Sequence, residues 1–273
     1  MRLINLKPSR ATAIALGALP FAVAVGAYAI GSAIRRADNP ADKLLPSLQA
    51  IGEAMYRMAA VADNRTGDYL LWTDTAASLE RLGLGIAIAA ALAFVLAALI
   101  GVLPTARALF APFVSAFSLI PPITILPILF IVLGLGEAAK VGLVVVGTAP
   151  LMTRALAQGV LDIPQEEIVK AQTLGASTWQ IATRIVFPRM GPLLLVAIRL
   201  GLVPAWIFLI SAEAIAATDG LGYRIFLVRR YLAMDVILPY VIWITILAYT
   251  IDRVLAFCSR RMFPWAHLSG DRL

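Results

Sequence analysis

Leu82–Ala106 runs for 25 residues without a charged side chain. A helix of that length, rising 1.5 Å per residue, crosses a hydrocarbon layer about 30 Å thick. Five further stretches are apolar over similar lengths: Ala11–Ile34, Ala108–Gly136, Val141–Val160, Leu193–Ala217 and Val236–Cys258. Hydrophobic residues fill 61% of the 273 positions and charged ones 14%, too lopsided for a single soluble core. The expected fold is all-α: a polytopic membrane protein with about six transmembrane helices.

The first run follows Arg2, Lys7 and Arg10, a basic start that would also suit a signal peptide. Its 24 uncharged residues, with Pro20 near the centre, favour an uncleaved span within residues 1–36. Residues 37–78 are polar and read as an extracytoplasmic segment. Within it Leu48, Ile51, Met55 and Met58 recur at helical spacing, which predicts a short amphipathic helix on the membrane surface. Small residues such as Gly83, Gly85, Ala87 and Ala89 let the second span approach its neighbours closely. Arg107 marks a tight turn after it. The third run holds Pro112, Pro121, Pro122 and Pro127. Prolines at that depth free backbone carbonyls, so a broken helix facing the protein interior is expected. Gly134, Gly136 and Glu137 form a turn, and residues 218–235 a second loop.

Six spans place both termini on one side. Arg2, Lys7 and Arg10 fall there, as do Lys170, Arg184, Arg189, Arg253, Arg260 and Arg261, which assigns that side and the 261–273 tail to the cytoplasm. The cations sit at the ends of apolar runs rather than in one patch, so lipid headgroups explain them and nucleic acid does not. Cys258 is the only cysteine and His267 the only histidine, which excludes an intrachain disulfide and a multi-cysteine metal site. No phosphate loop of the GxxxxGK type occurs, and neither HExxH nor GxSxG appears. No enzyme activity, cofactor or metal site of the chain's own is expected.

Between the fourth and fifth runs lies a polar island, QEEIVKAQTLGASTWQIATRIVFPRMGP, from Gln165 to Pro192. Pro164 opens a helix with Glu166 and Glu167 in its first turn. Gly175 stops it. Ser177 and Gln180 have the spacing of a capping box that starts a second helix, and Pro188 ends the regular stretch. Two short helices bent around Gly175 fit either an interfacial anchor or a knob that docks in a cleft of a partner protein.

The island resembles the EAA motif of binding-protein-dependent ABC importer permeases. Ala171, Gly175, Ile185 and Pro188 match in register, while Phe187 replaces a leucine, and Val169 and Lys170 stand where the family has Glu and Ala. IPPITILPILFIVLGLGE, TLGASTWQ and SAEAIAATDGLGY are similar to the nitrate, sulfonate and taurine branch, and the resemblance covers roughly Leu79 to Cys258. It implies a permease subunit of a type I importer whose 79–260 core carries a cytoplasmic coupling loop, 163–188. It further implies a second permease copy, usually identical, a pair of ATPase subunits that bind the ATP, and a periplasmic solute-binding protein. Ala171, Leu174, Gly175, Ala176, Trp179, Ile185 and Pro188 would meet the ATPase. The branch suggests a small anion such as sulfonate, taurine or nitrate as solute.

Arg154, Arg199, Glu213 and Asp252 fall within or near spans, where an ionisable group must be paired or hydrated. Snorkelling at helix ends accounts for Arg154 and Asp252. Arg199 and Glu213 are too far apart to pair within one helix, so each needs another partner. Together with Pro121, Pro122, Gly220 and Gly222 they are the candidates for the translocation path or its gate. The rival reading is an ion-gradient-driven secondary transporter or channel, which would call for inverted repeats and coupling carboxylates.

Overall fold

The computed structural model describes residues 8–39, 42–64 and 67–267, without the side chain of His267, and among these every regular element is helical. Arg2, Lys7 and the tail beyond residue 267 lie outside the described residues. The chain divides into two units, Met1–Tyr69 with Val228–Val241, and Leu70–Leu227 with Ile242–Leu273.

The first unit holds α1 (Arg10–Asp38) and α2 (Leu48–Ala60), each started by a serine whose hydroxyl accepts a backbone N–H. Their connection is fixed by hydrogen bonds from Tyr28 Oη to the Pro46 carbonyl (2.7 Å) and from Ser32 Oγ to the Leu45 carbonyl (2.9 Å). The Arg35 guanidinium, with the Leu44 N–H, holds the Asp42 carboxyl below its ordinary range. Of the apolar stripe expected on α2, Met58 is buried, Ile51 and Met55 are half-buried and Leu48 is exposed, while Ala54 is buried as well.

The second unit begins with α3 (Leu70–Val102), followed by α4 (Pro104–Phe117), a 3₁₀ turn at Pro122–Ile125, α5 (Leu126–Leu133) and α6 (Glu137–Leu161). The island supplies α7 (Gln165–Thr173), α8 (Thr178–Ile181) and a π turn, Ala182–Val186. Then come α9 (Phe187–Ala216), α10 (Leu221–Arg229) and α11 (Met234–Met262), the last beginning in the first unit. The core is packed from α3, α6 and α9. Ala89, Ala93 and Ala97 of α3 and Leu156 of α6 are fully buried, as is Met190 of α9. Alanines along α3 admit α6 at close range, so dispersion contacts between helices supply the cohesion that water would supply to a soluble core.

Among the described residues, five helices are long and apolar enough to cross a membrane, and the pair 104–117 with 122–133, bent by 86°, makes a sixth if counted as one span. Four local readings of the sequence need correction. Helix α3 starts at Leu70 rather than Leu82, because Asp74, Ser78 and Arg81 are buried and bonded instead of ending the helix in water. The turn after it lies at Leu103, with Pro104 at the helix start where its missing N–H costs nothing. Arg107 sits inside α4 and reaches back to cap the Ile100 and Gly101 carbonyls. The loop 218–235 contains α10. The break in the third run is present, but that run is not interior to this chain: Leu109, Phe113, Ile131 and Val132 are all exposed.

Candidate functional site

At one end of the second unit, the island forms a bent knob. The carbonyl ends of α7 are closed by a tight reversal in which Gly175 N–H donates to Gln172 O and Ala176 N–H to Ala171 O (2.9 and 3.0 Å). Gly175 has φ +80°, a left-handed conformation that a side chain would strain by about 1 to 2 kcal/mol. Ser177 and Gln180 complete a reciprocal capping box, each side chain serving the other's backbone N–H. Arg189 of α9 grips both oxygens of Glu167 of α7 at 2.6 and 2.7 Å, tying the knob to the start of the span.

The island's side chains divide by role. Ile168, Ala171, Ala176 and Ile185 are half-buried against the core. Leu174 and Trp179 project outward, 87% and 70% exposed. Leu174 is left almost wholly uncovered within this chain, and Trp179 is covered only in part, where it meets Phe187 edge-on. Pro188 is exposed and does not end the helix, contrary to the sequence reading. The π turn bonds Phe187 N–H to Ala182 O, five residues back, and the wider ring lets the chain pass Pro188 into α9 without a break. Residues Thr178–Ala216 therefore form one helical rod of 39 residues.

At the rod's other end sits a buried polar clip that sequence reasoning missed. Glu213, fully buried, accepts from Ser78 Oγ (2.8 Å), Arg81 Nη1 (2.9 Å) and Gly222 N–H (2.8 Å). Arg81 also binds Glu137 and Asp219, and Lys140 adds a bond to Glu137. Asp74 accepts from Gly220 N–H (3.0 Å) and from Arg224 (2.8 Å), while Leu221 N–H donates to Ser78 Oγ (2.9 Å). Four segments are thereby joined: α3, the start of α6, the end of α9 and the corner before α10. Asp74, Ser78 and Arg81 recur at helical spacing on one face of α3. That signal was available, but residues up to 78 read as an extramembrane segment.

The other path candidates scatter. Gly220 (φ +111°) and Gly222 are held in the clip's corner, backbone against Glu213 and Ile210. Arg199 pairs with Asp252 of α11 at 2.7 Å, so neither snorkels alone. Arg154 donates to Ser118 Oγ (2.8 Å), toward the break rather than toward the nearer end of α6. Pro121 and Pro122 lie at the 86° break itself. The structure gathers Glu213, Gly220 and Gly222 in the clip, while Arg199 pairs on α11 and Pro121 and Pro122 stand at the break. Among the described residues no cluster of His, Cys, Asp or Glu could hold a metal ion.

Similarity to known proteins runs along the same stretch. The family described as binding-protein-dependent transport system inner membrane component matches residues 83–264. The taurine transport system permease protein TauC of Escherichia coli K12 is 36% identical over 199 residues, 72% of each chain. The nitrate import permease protein NrtB of Synechocystis is 25% identical over 74% of each. A chain of the MetNI methionine ABC transporter, solved in inward-facing conformations, superposes with a TM-score of 0.58 at 22% identity. It covers 70% of this chain and 97% of that one, and so speaks to the fold.

Proposed function

Because the chain belongs to the binding-protein-dependent transport system inner membrane component family, and is a multi-pass inner-membrane permease subunit of an ABC importer in the taurine, sulfonate and nitrate branch, we propose that its 163–188 island is the surface on which a separate ATPase subunit docks. Leu174 and Trp179 are the anchors, Ala171, Ala176 and Ile185 hold them to the core, and Gly175 and Pro188 set the bend and the passage into the span. ATP is bound by a pair of such ATPase subunits and not by this chain. A second copy of the permease completes the path, a periplasmic binding protein delivers the solute, and both termini face the cytoplasm with the island. Surrounding lipid covers the outward apolar faces, and the solute is a small anion such as taurine, another sulfonate or nitrate.

The observation that carries this reading is the exposure of Leu174 and Trp179 on a knob fixed by a capping box and an ion pair. Hydrophobic anchors on a preorganised mount bind at low entropic cost. The test is co-purification of the ATPase with Leu174→Asp and Trp179→Ala variants. Expected is loss of ATPase association and uptake with unchanged yield of folded permease. Association equal to the parent chain in both variants would sink the docking assignment.

A further inference from the structure

Among the described residues, Leu232 is the only one other than glycine with a positive φ, at +53°. The other left-handed positions, Gly67, Gly134, Gly175 and Gly220, all carry glycine. A leucine held there is strained because its Cβ crowds the following carbonyl oxygen; glycine escapes that penalty and asparagine feels it less. The turn that imposes this conformation is tight and joins α10 to α11. Tyr231 N–H donates to Val228 O (3.0 Å), Leu232 N–H to Arg229 O (3.1 Å) and Met234 N–H to Leu232 O (2.8 Å). Four consecutive residues on it are exposed: Arg229, Arg230, Tyr231 (71%) and Leu232 (56%).

Less than half of Leu232 is covered, so packing within the chain offsets only part of the strain. An apolar side chain kept at a strained corner and left open gains its remaining contacts from another molecule. Its neighbours are of the types that most often anchor protein interfaces, Tyr and Arg. Lipid would accept Tyr231 and Leu232 from an unstrained turn equally well, whereas a shaped protein surface needs them at fixed positions. With the island in the cytoplasm, as proposed above, the segment joining the spans α9 and α11 faces outward. Two adjacent arginines in a short outer loop run against the bias that gathers such charges in the cytoplasm, and an acidic partner surface would compensate them. We propose that the 229–232 turn is a docking point for the solute-binding protein. Leu232 and Tyr231 enter an apolar notch, and Arg229 and Arg230 meet an acidic rim around it. The proposal rests on delivery of solute by a binding protein and not on the contact between the island and the ATPase.

The experiment is photocrosslinking in nanodiscs of the permease assembled with its ATPase, with the purified binding protein that supports uptake through it. Tyr231 is replaced by p-benzoylphenylalanine, an aromatic for an aromatic. Expected is a covalent conjugate with the binding protein, and none when exposed Phe21 of α1 is replaced instead. Conjugation only to lipid, only to a second copy of this chain, or equally from Phe21 would overturn the proposal. A second measurement uses Leu232→Asn, which relieves the strained backbone. This variant should keep or raise the unfolding midpoint while weakening the binding protein's affinity for the complex by about tenfold, as for loss of an interface anchor. A fallen midpoint would mean that the leucine serves the fold, and parent-level affinity that it serves nothing outside the chain; either result sinks the assignment. Uptake without any binding protein would strike down the delivery reading as well, whereas the other failures leave that reading standing.

Discussion

Arg81 Nη1 donates to Oε1 of Glu213 at 2.9 Å, with one side chain 5% exposed and the other fully buried. The contact joins α3 to the far end of α9, positions 132 apart in sequence. Ser78 and the Gly222 N–H satisfy the remaining acceptor capacity of Glu213, so the pair sits in a complete network and not as a bare charge in an apolar interior. Arg81→Ala would leave Glu213 buried without its counter-charge, and the loss of stability should be about 3 to 5 kcal/mol. Glu213→Gln keeps an acceptor for Ser78 and Gly222 and should cost about 1 to 3 kcal/mol. Joint replacement by methionines should cost less than the two single losses added together. Denaturant unfolding of the purified chain measures all three.

The corner glycines of the clip should resist substitution. A Cβ on Gly220 would lie 2.6 Å from the Glu213 carboxylate, at a φ of +111°. A Cβ on Gly222 would lie 2.7 Å from the Ile210 carbonyl oxygen, which is helix backbone and cannot swing away. Gly222→Val should therefore abolish recovery of a monodisperse chain on size exclusion, and Gly222→Ala should lower it severalfold. Normal recovery of Gly222→Val with loss of uptake alone would mean the corner moves freely, as a gate requires.

Much of this molecule could be read from its residues, and what could not has a common cause. Periodicity and length located the spans, and the Ser177–Gln180 spacing and Gly175 located the knob, because these are local signals carried by neighbours in sequence. Asp74, Ser78, Arg81 and Glu137 were invisible as a unit. Apart from Lys140 beside Glu137, the partners that join them lie 56 to 150 positions away, and polar residues beside an apolar run look the same whether they meet water or one another. Glu213 stood out as a carboxylate within a span, but only the fold shows that it closes a clip. Pro188 misled for a related reason. A π turn has no simple sequence mark, so a proline that should have stopped a helix was passed by one.

Arg199 and Asp252 make a weaker, separate pair, each side chain about a third exposed, joining α9 to α11. With its charge already matched, Arg199 should contribute little to solute attraction. Arg199→Gln is expected to leave the preference among transported anions unchanged while lowering stability by about 1 kcal/mol or less. The swapped chain, Arg199→Asp with Asp252→Arg, should recover most of that stability. Competition uptake assays and unfolding midpoints read the two effects independently, and a changed anion preference in Arg199→Gln would return this residue to the path.

The π turn sets the angular relation between the knob and the span. Thr183 lies inside it, its Oγ1 bonded to the Trp179 carbonyl at 2.8 Å, and Trp179 meets Phe187 edge-on at 6.5 Å between ring centroids. Deleting Thr183 would convert the five-residue spacing to an ordinary α-helical one. Each residue of an α-helix turns the chain by about 100°, so Trp179 and Leu174 would swing around the rod axis by roughly that angle relative to Glu213. The clip, some 30 residues on, would be untouched. Buried Ile181 and Ala182 would leave the core and the Glu167–Arg189 tie would part, so the unfolding midpoint should fall while the intact clip keeps the chain monodisperse on size exclusion. Displacing an aromatic anchor from its pocket typically costs about 2 kcal/mol or more, so association with the ATPase should weaken by about thirtyfold. Binding to the ATPase measured side by side for the parent and the deletion decides the matter. Undiminished binding would mean that the direction in which the knob faces is not set by the π turn.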